Sequence, residues 1–239
     1  MRLNGLRPVW RRKFVHTTDS KHTMAVSANV LNRQFEQALP NEVWVCDITY
    51  IRTNSNWLHL PAVLDLHSRK IVGWAMAAAM PTALVCAALR MAIVRRNPVA
   101  GLIVHSDRGT QSASAEQQAL LNKYGLIGSM SRKGNCWDNV VMERLFLSLE
   151  MKRVWHKDYA NHLKATNDIA DCIVGFYNAV RLHSKLGNLS LTAFEHESTS
   201  EKPIKLSKII KPLHLLKPSP EKKTPRRPLI VNQLSQRFE

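Results

Sequence analysis

Apolar residues alternate in short runs between Val43 and Ala75 and then fall into longer stretches at helical spacing, and this change of period predicts the elements. Three runs rich in β-branched and aromatic residues, separated by Asn54-Ser55-Asn56 and His67-Ser68-Arg69, read as strands of an antiparallel meander. In the first run Val43, Val45, Asp47 and Thr49 share one face, and Trp44, Cys46, Ile48 and Tyr50 share the other. Both faces are largely apolar, so this strand should be central. Pro81 to Arg95 reads as a helix, with proline at its start and basic residues near its end. A strand from Gly101 to Ser106, a helix from Ala113 to Tyr124, a short strand from Leu126 to Met130 and a helix from Trp137 to Trp155 follow. A last helical pattern spans Tyr159 to Val180, with Leu163, Ile169, Ile173, Phe176, Tyr177 and Val180 as its expected buried stripe. The order predicts an α/β fold, a mixed sheet of three antiparallel strands followed by alternating helices and strands, flanked by helices.

Two aspartates break this pattern. Asp47 lies inside the first apolar strand and Asp107 closes the strand that begins at Gly101. Aspartate is depleted in strands, and an ionised carboxylate among apolar residues is costly unless a cation meets it. Asp107 also stands at the carboxyl end of its strand, where open α/β sheets place ligands. A third acid, Glu143, sits early in the helix predicted from Trp137, 35 residues (108–142) beyond Asp107. Three acids from separate elements could hold a pair of magnesium ions, an arrangement that suits in-line displacement at a phosphodiester. Asp65, Asp138 and Glu150 compete for such a role. Asp65 has a ready reading as a turn acceptor, Asp138 as a helix-start cap, and Glu150, two turns after Glu143 on nearly the same helix face, is the serious rival third ligand. His105 shares a strand face with Asp107 and could tune it, touch DNA, or be a packed, hydrogen-bonded histidine.

The formal charge of +16 points to a polyanionic partner. The excess is +5 over residues 1–39, +4 over 40–200 and +7 over 201–239, so the ends carry most of it. Six of the eleven prolines fall between Pro203 and Pro228 among lysines, which predicts a disordered basic tail over 198–239. The loop Ser131 to Asn135 is polar and basic and adjoins the Glu143 helix, which marks Arg132, Lys133 and Asn135 as candidate DNA contacts; Arg108 and Gln111, just after Asp107, are candidate phosphate neighbours. Cys46, Cys86, Cys136 and Cys172 have neither C-x-x-C spacing nor histidines at zinc-ligand intervals and read as reduced thiols of a cytoplasmic protein. The uncharged run 71–89 is interrupted by Pro81-Thr82 and followed by Arg90, and reads as a strand and a buried helix rather than a membrane span. The first residues lack the apolar segment of a secretory signal.

The chain resembles the insertion-sequence transposases of the OrfB type, in the DDE, retroviral-integrase catalytic core superfamily. The matching stretches are Trp44 to Ile51, Asp65 to Trp74, His105 to Gln111, Ser129 to Asn139 with Glu143, and Phe176-Tyr177-Asn178 with Arg181, His183, Ser184, Leu186 and Gly187. The match runs in order over about residues 1 to 197. It implies a ribonuclease-H-like fold with Asp47, Asp107 and Glu143 as catalytic and metal-binding triad, two Mg2+ ions for which Mn2+ can substitute, and DNA cleavage and strand transfer in transposition. It also implies element ends and target DNA as partners, a homo-oligomer on DNA, an association with an upstream-frame helix-turn-helix protein, and a nucleoid-associated location in a bacterium. Residues 1–39 then correspond to the remnant of an upstream DNA-binding region and 40–197 to the catalytic core with a C-terminal helix. The sequence departs from the family at Ser112, where an aromatic is usual, at Leu182 and Leu191, where prolines are common, and at Lys152, where an acid is frequent. Other readings are a truncated, inactive DNA-binding relic or regulator of a full-length transposase, and a ribonuclease-H-type nuclease.

Overall fold

The computed structural model describes residues 26–200; residues 1–25 of the basic N-terminal segment and residues 201–239 of the proline-rich tail lie outside the described residues, while residues 198–200, expected to begin the disordered tail, are helical. Strands β1 (Val43–Arg52), β2 (Trp57–Asp65) and β3 (Ile71–Trp74) form the expected meander. Helix α1 (Thr82–Arg96), β4 (Ile103–Ser106), α2 (Ala115–Lys123) and β5 (Ile127–Met130) follow. The five strands are ordered β3-β2-β1-β4-β5, so β1 is central, antiparallel to β2 and parallel to β4, which in turn runs parallel to β5.

The sheet is covered on both faces, as the two apolar faces of β1 require. On one, Trp44, Cys46, Val63, Val72 and Val104 pack with Cys86, Ala88, Leu89, Ala92 and Ile93 of α1 and with Leu120 and Leu121 of α2. Gly73 allows α1 to lie close on this face: a Cβ there would overlap the Ala88 carbonyl and come within 2.8 Å of the Ala92 backbone nitrogen. On the other face, Val43, Val45, Leu60 and Leu64 meet Met142, Leu145, Phe146 and Leu149 of α3 (Val140–Lys152). No helix among the described residues is long and apolar enough to cross a membrane.

Two helix predictions need correction. The stretch from Trp137 to Trp155 is not one helix but a 3-10 turn (Cys136–Asn139), α3, and a second 3-10 turn (Val154–His156). The physical reason lies in side chains that bond elsewhere: Asn139 donates to the Cys46 carbonyl at 3.3 Å, and Arg153 turns out of the helix to pair with Asp168. The Tyr159 to Val180 pattern divides into α4 (His162–Asp171) and a π-helical segment (Cys172–Asn178). Of the expected stripe only Ile169, Ile173 and Tyr177 are buried, while Leu163, Phe176 and Val180 are exposed. The wider turn of the π segment carries Asn178 to the edge strand β3, where its amide both accepts from Ile71 N at 3.0 Å and donates to Ile71 O at 2.9 Å. That side chain takes the place of a neighbouring strand and covers an otherwise open sheet edge. Past it, Leu182–His183 (β6) pairs with Leu189–Ser190 (β7), and α5 (Leu191–Ser200) closes the described chain.

Candidate functional site

Pairing register brings the two strand acids together. β1 and β4 run parallel with Val45 opposite His105 and Cys46 opposite Ser106, so the next residues, Asp47 and Asp107, emerge side by side where β4 ends. Residue alternation points both toward the α3 face. Asp47 is half-buried, and its carboxyl is raised well above its ordinary value by burial first and then by the neighbouring charges of Asp107 and Glu143; a bond from its neighbour Ile48 N, 2.8 Å, only partly opposes this. The three acids therefore share one electrostatic neighbourhood. Glu143 is in the first turn of α3, exposed at the helix surface, with its carboxyl raised by partial burial. Among the described residues no three His, Cys, Asp or Glu side chains converge closely enough to form a preassembled metal cluster.

Asp107 is held by the loop that follows it. Gly109 N donates to its Oδ1 at 3.1 Å and Ser112 Oγ at 3.2 Å. A Cβ on Gly109 would stand 3.2 and 3.3 Å from the two carboxylate oxygens, a tight contact that any other residue would relieve by shifting the Asp107 carboxylate by a few tenths of an ångström. Ser112 is thus a partner of the candidate site; in the sequence it stood out only as a departure from an aromatic, and a hydroxyl five residues on carries no pattern that would have identified it.

The rival acids are placed by their donors. Asp65, fully buried, accepts from Asn41 N, Ser68 N and Ser68 Oγ at 2.7 to 3.0 Å, the turn-acceptor role expected of it. Asp138 is also buried, but it makes no helix cap; its partners come from Asn29, Arg33 and Arg132. Glu150 lies closest to the candidate site, accepting from Thr49 Oγ1 at 2.7 Å on the same β1 face as Asp47. Its carboxyl is raised by burial, against the Thr49 bond. Thr49 is thereby a link between β1 and α3 that alternation alone placed on the correct face.

His105 is fully buried with Nδ1 2.9 Å from Ser129 Oγ and Nε2 3.2 Å from Ser131 Oγ, the packed, hydrogen-bonded reading; burial lowers its imidazole to about 4, against the pull of Asp138 and Asp107. Of the candidate DNA contacts, Arg108 and Gln111 are half-buried on the turn after β4, near Asp107 in sequence. Arg132 and Lys133 are exposed, and the Arg132 guanidinium bonds Asn32 while Asn135 accepts from Arg33 at 2.9 Å. The free thiols Cys46, Cys86 and Cys172 are buried.

What the arrangement offers chemically is a set of hard oxygen donors with mutual repulsion and, among the described residues, no lysine or arginine bonded to Asp47. Such a set fits a divalent cation better than a proton relay.

Comparison with known proteins agrees with this architecture. Residues 37–136 match the model of the integrase core domain. The chain is 42% identical over 192 residues to the insertion element IS600 uncharacterized 31 kDa protein of Shigella sonnei, covering 80% of this chain and 71% of that protein. It is 40% identical over 198 residues to transposase InsF for insertion sequence IS3A of Escherichia coli, covering 83% of this chain and 69% of that protein. In fold it is similar to the HTLV-2 integrase catalytic core domain, solved in complex with magnesium in a dimeric form, with a TM-score of 0.52 at 19% identity over 66% of this chain and 98% of that one. With identities of this level spread over most of its length, the chain belongs to the insertion-sequence transposases, DNA polynucleotidyl transferases with an integrase-type DDE core.

Proposed function

We propose that this transposase cuts and joins DNA at element ends through Asp47, Asp107 and Glu143, acting with divalent cations. The observation that carries the reading is the register of β1 on β4, which sets two acids side by side, together with the raised carboxyl of Asp47 in the field of Asp107 and Glu143. Asp47 and Asp107 would hold one ion and Glu143 would complete a second position, with Mg2+ as the natural ion and Mn2+ as a substitute. Bound there, the ions supply Lewis-acid stabilisation of the oxygens that attack and leave phosphorus. The magnesium in the HTLV-2 integrase structure is consistent with this assignment.

The chain's own residues have two tasks. Asp47 and Asp107 keep their carboxylates at fixed positions on the sheet, the latter through Gly109 N and Ser112 Oγ. Glu143 arrives from a helix packed on the same sheet, so Asp47 and Glu143 stand on rigid elements and Asp107 directly follows one. No side-chain nucleophile is needed. Water adds to a phosphodiester and a 3′ hydroxyl leaves; that hydroxyl then attacks a second phosphodiester and releases another 3′ hydroxyl, so the number of ester bonds is conserved in the joining step. Arg108, Gln111, Arg132, Lys133 and Asn135 are proposed to meet phosphates, the basic tail 198–239 to add nonspecific affinity through its positive charge, and two copies or more to pair the element ends.

The test is nicking and strand transfer on supercoiled DNA carrying the element's ends, with Mg2+, comparing the protein with Glu143→Gln. Joined products that disappear in the variant while DNA binding persists support the reading. Equal joining by both proteins removes Glu143 from the triad.

A further inference from the structure

Asp138 is a buried carboxylate that the proposed chemistry does not use. It is 1% exposed and lies between the 131–135 loop and α3. Asn29 Nδ2 donates to it at 2.9 Å, Arg33 Nε at 2.7 Å and the Arg132 amide at 3.0 Å. Burial would raise this carboxyl, but the Arg132 amide and the Arg33 guanidinium outweigh it and hold it below its ordinary value.

Two of those donors come from a strap, residues 29–35, that lies far upstream in sequence and is bonded to the edge strand β5. The strap is itself anchored. Leu31 is buried in the α3-side core, and the amides of Val30 and Leu31 both donate to Ser129 Oγ, at 2.9 and 3.2 Å. Arg33 reaches on to Asn135 Oδ1, so a single guanidinium ties the strap to both ends of the loop-to-helix junction. The residue after Asp138 points the other way: Asn139 donates to the carbonyl of Cys46, the residue before Asp47. Helix α3 begins at the next residue with no side-chain cap, and Glu143 lies in its first turn. The start of the Glu143 helix is therefore fixed by Asp138 on the strap side and by Asn139 on the Asp47 side.

We propose that Asp138 is a positioning residue: with Arg33 and Asn29 it forms a latch through which the strap sets where Glu143 stands relative to Asp47. The inference rests on the reading of Glu143 as the third acid. A buried ion pair is a poor way to gain stability alone, because an apolar residue of similar size commonly does as well, whereas it fixes one arrangement among several. The Arg33 side chain is 44% exposed, so this side of the latch can be altered without opening the core.

The experiment uses the full chain, with Arg33→Ala and Arg33→Lys beside Glu143→Gln. Amide hydrogen exchange at residues 139–145 and strand-transfer rates at saturating DNA and Mg2+ are read together. Arg33→Ala should speed exchange at 139–145 about 10-fold while β1 and α4 keep theirs. It should slow the rate at saturating DNA about 10-fold with DNA affinity unchanged, as small displacements of a reacting group do. Arg33→Lys, which keeps the charge but not the fork that reaches both Asp138 and Asn135, should recover part of both. Unchanged exchange at 139–145 overturns the latch whatever Glu143→Gln does. Faster exchange with an undiminished rate, when Glu143→Gln is inactive, overturns the positioning role and leaves Asp138 a fold staple. A loss confined to DNA affinity overturns it too, making Arg33 a phosphate contact. If Glu143→Gln joins DNA as well as the parent, the triad assignment fails, and the positioning role falls with it for a separate and visible reason.

Discussion

Two sets of acids in this molecule are both desolvated to some degree and are treated in opposite ways. Asp138, Asp168 and Glu195 are each met by cationic side chains of the protein. Asp168 accepts from Arg153 and Tyr159 and pairs with Lys157, and Glu195 pairs with Lys70 and Arg96. Burial would raise these carboxyls, yet their partners hold all three below the ordinary value. Asp47 and Glu143 are raised instead, by burial and, for Asp47, by other acids. An acid answered by the protein's own cation is part of the scaffold; an acid kept among acids calls for a cation from outside.

The sharpest way to break this comparison is to neutralise one member of each set. Asp47→Asn keeps the shape and the bond from Ile48 N, and should lower strand-transfer turnover on the order of 1,000-fold. In metal-free buffer it should leave Tm unchanged or higher, since it removes repulsion rather than a partner. Asp168→Asn should do the reverse. Joining persists when the protein is folded, and stability falls by about 1–3 kcal/mol, a discounted figure because Arg153 and Lys157 are more than a third exposed.

The same residue gives a pH signature. Asp168 is held at about 2, below its ordinary value of 3.8. A depressed carboxyl contributes stability that is present above the ordinary value and lost as pH falls through the folded one. Stability of the parent should therefore drop between about pH 4 and pH 2 more steeply than that of Asp168→Asn, followed by denaturant unfolding at each pH. Equal slopes would place the acid sensitivity elsewhere.

The smallest expected effect concerns Glu150, which stands between the two sets. It faces the site but is bonded by Thr49, a neutral donor. Glu150→Gln preserves that bond and should change turnover by less than about threefold, against the near-complete loss expected of Glu143→Gln. A loss as large as that of Glu143→Gln would make Glu150 the third acid.

The part of this site that follows local rules was legible in the sequence. Strand alternation placed Asp47 and Thr49 on one face of β1, two apolar faces made β1 central, and the end of the apolar run 101–106 put Asp107 just past the end of β4. The part that depends on distant partners was not. Asp138 reads as a helix cap until Asn29 and Arg33, more than 100 residues upstream, reach it, and the strap that carries them has no periodicity. The π segment was hidden for a related reason. Its hydrophobic spacing suits an ordinary helix, and the widening answers the hydrogen-bonding needs of Ile71 on a strand edge that residues 159–180 do not reveal.

The most direct test of the claim that Asp47, Asp107 and Glu143 await an external cation is thermal unfolding of the full chain across a Mg2+ titration, with Asp47→Asn in parallel. A ligand that binds only the folded state stabilises it by an amount that grows as the logarithm of one plus the ratio of free ligand to its dissociation constant. The account predicts a Tm that rises with Mg2+ in the parent and stays flat in Asp47→Asn. A parent indifferent to Mg2+, or a variant that rises equally, would contradict it.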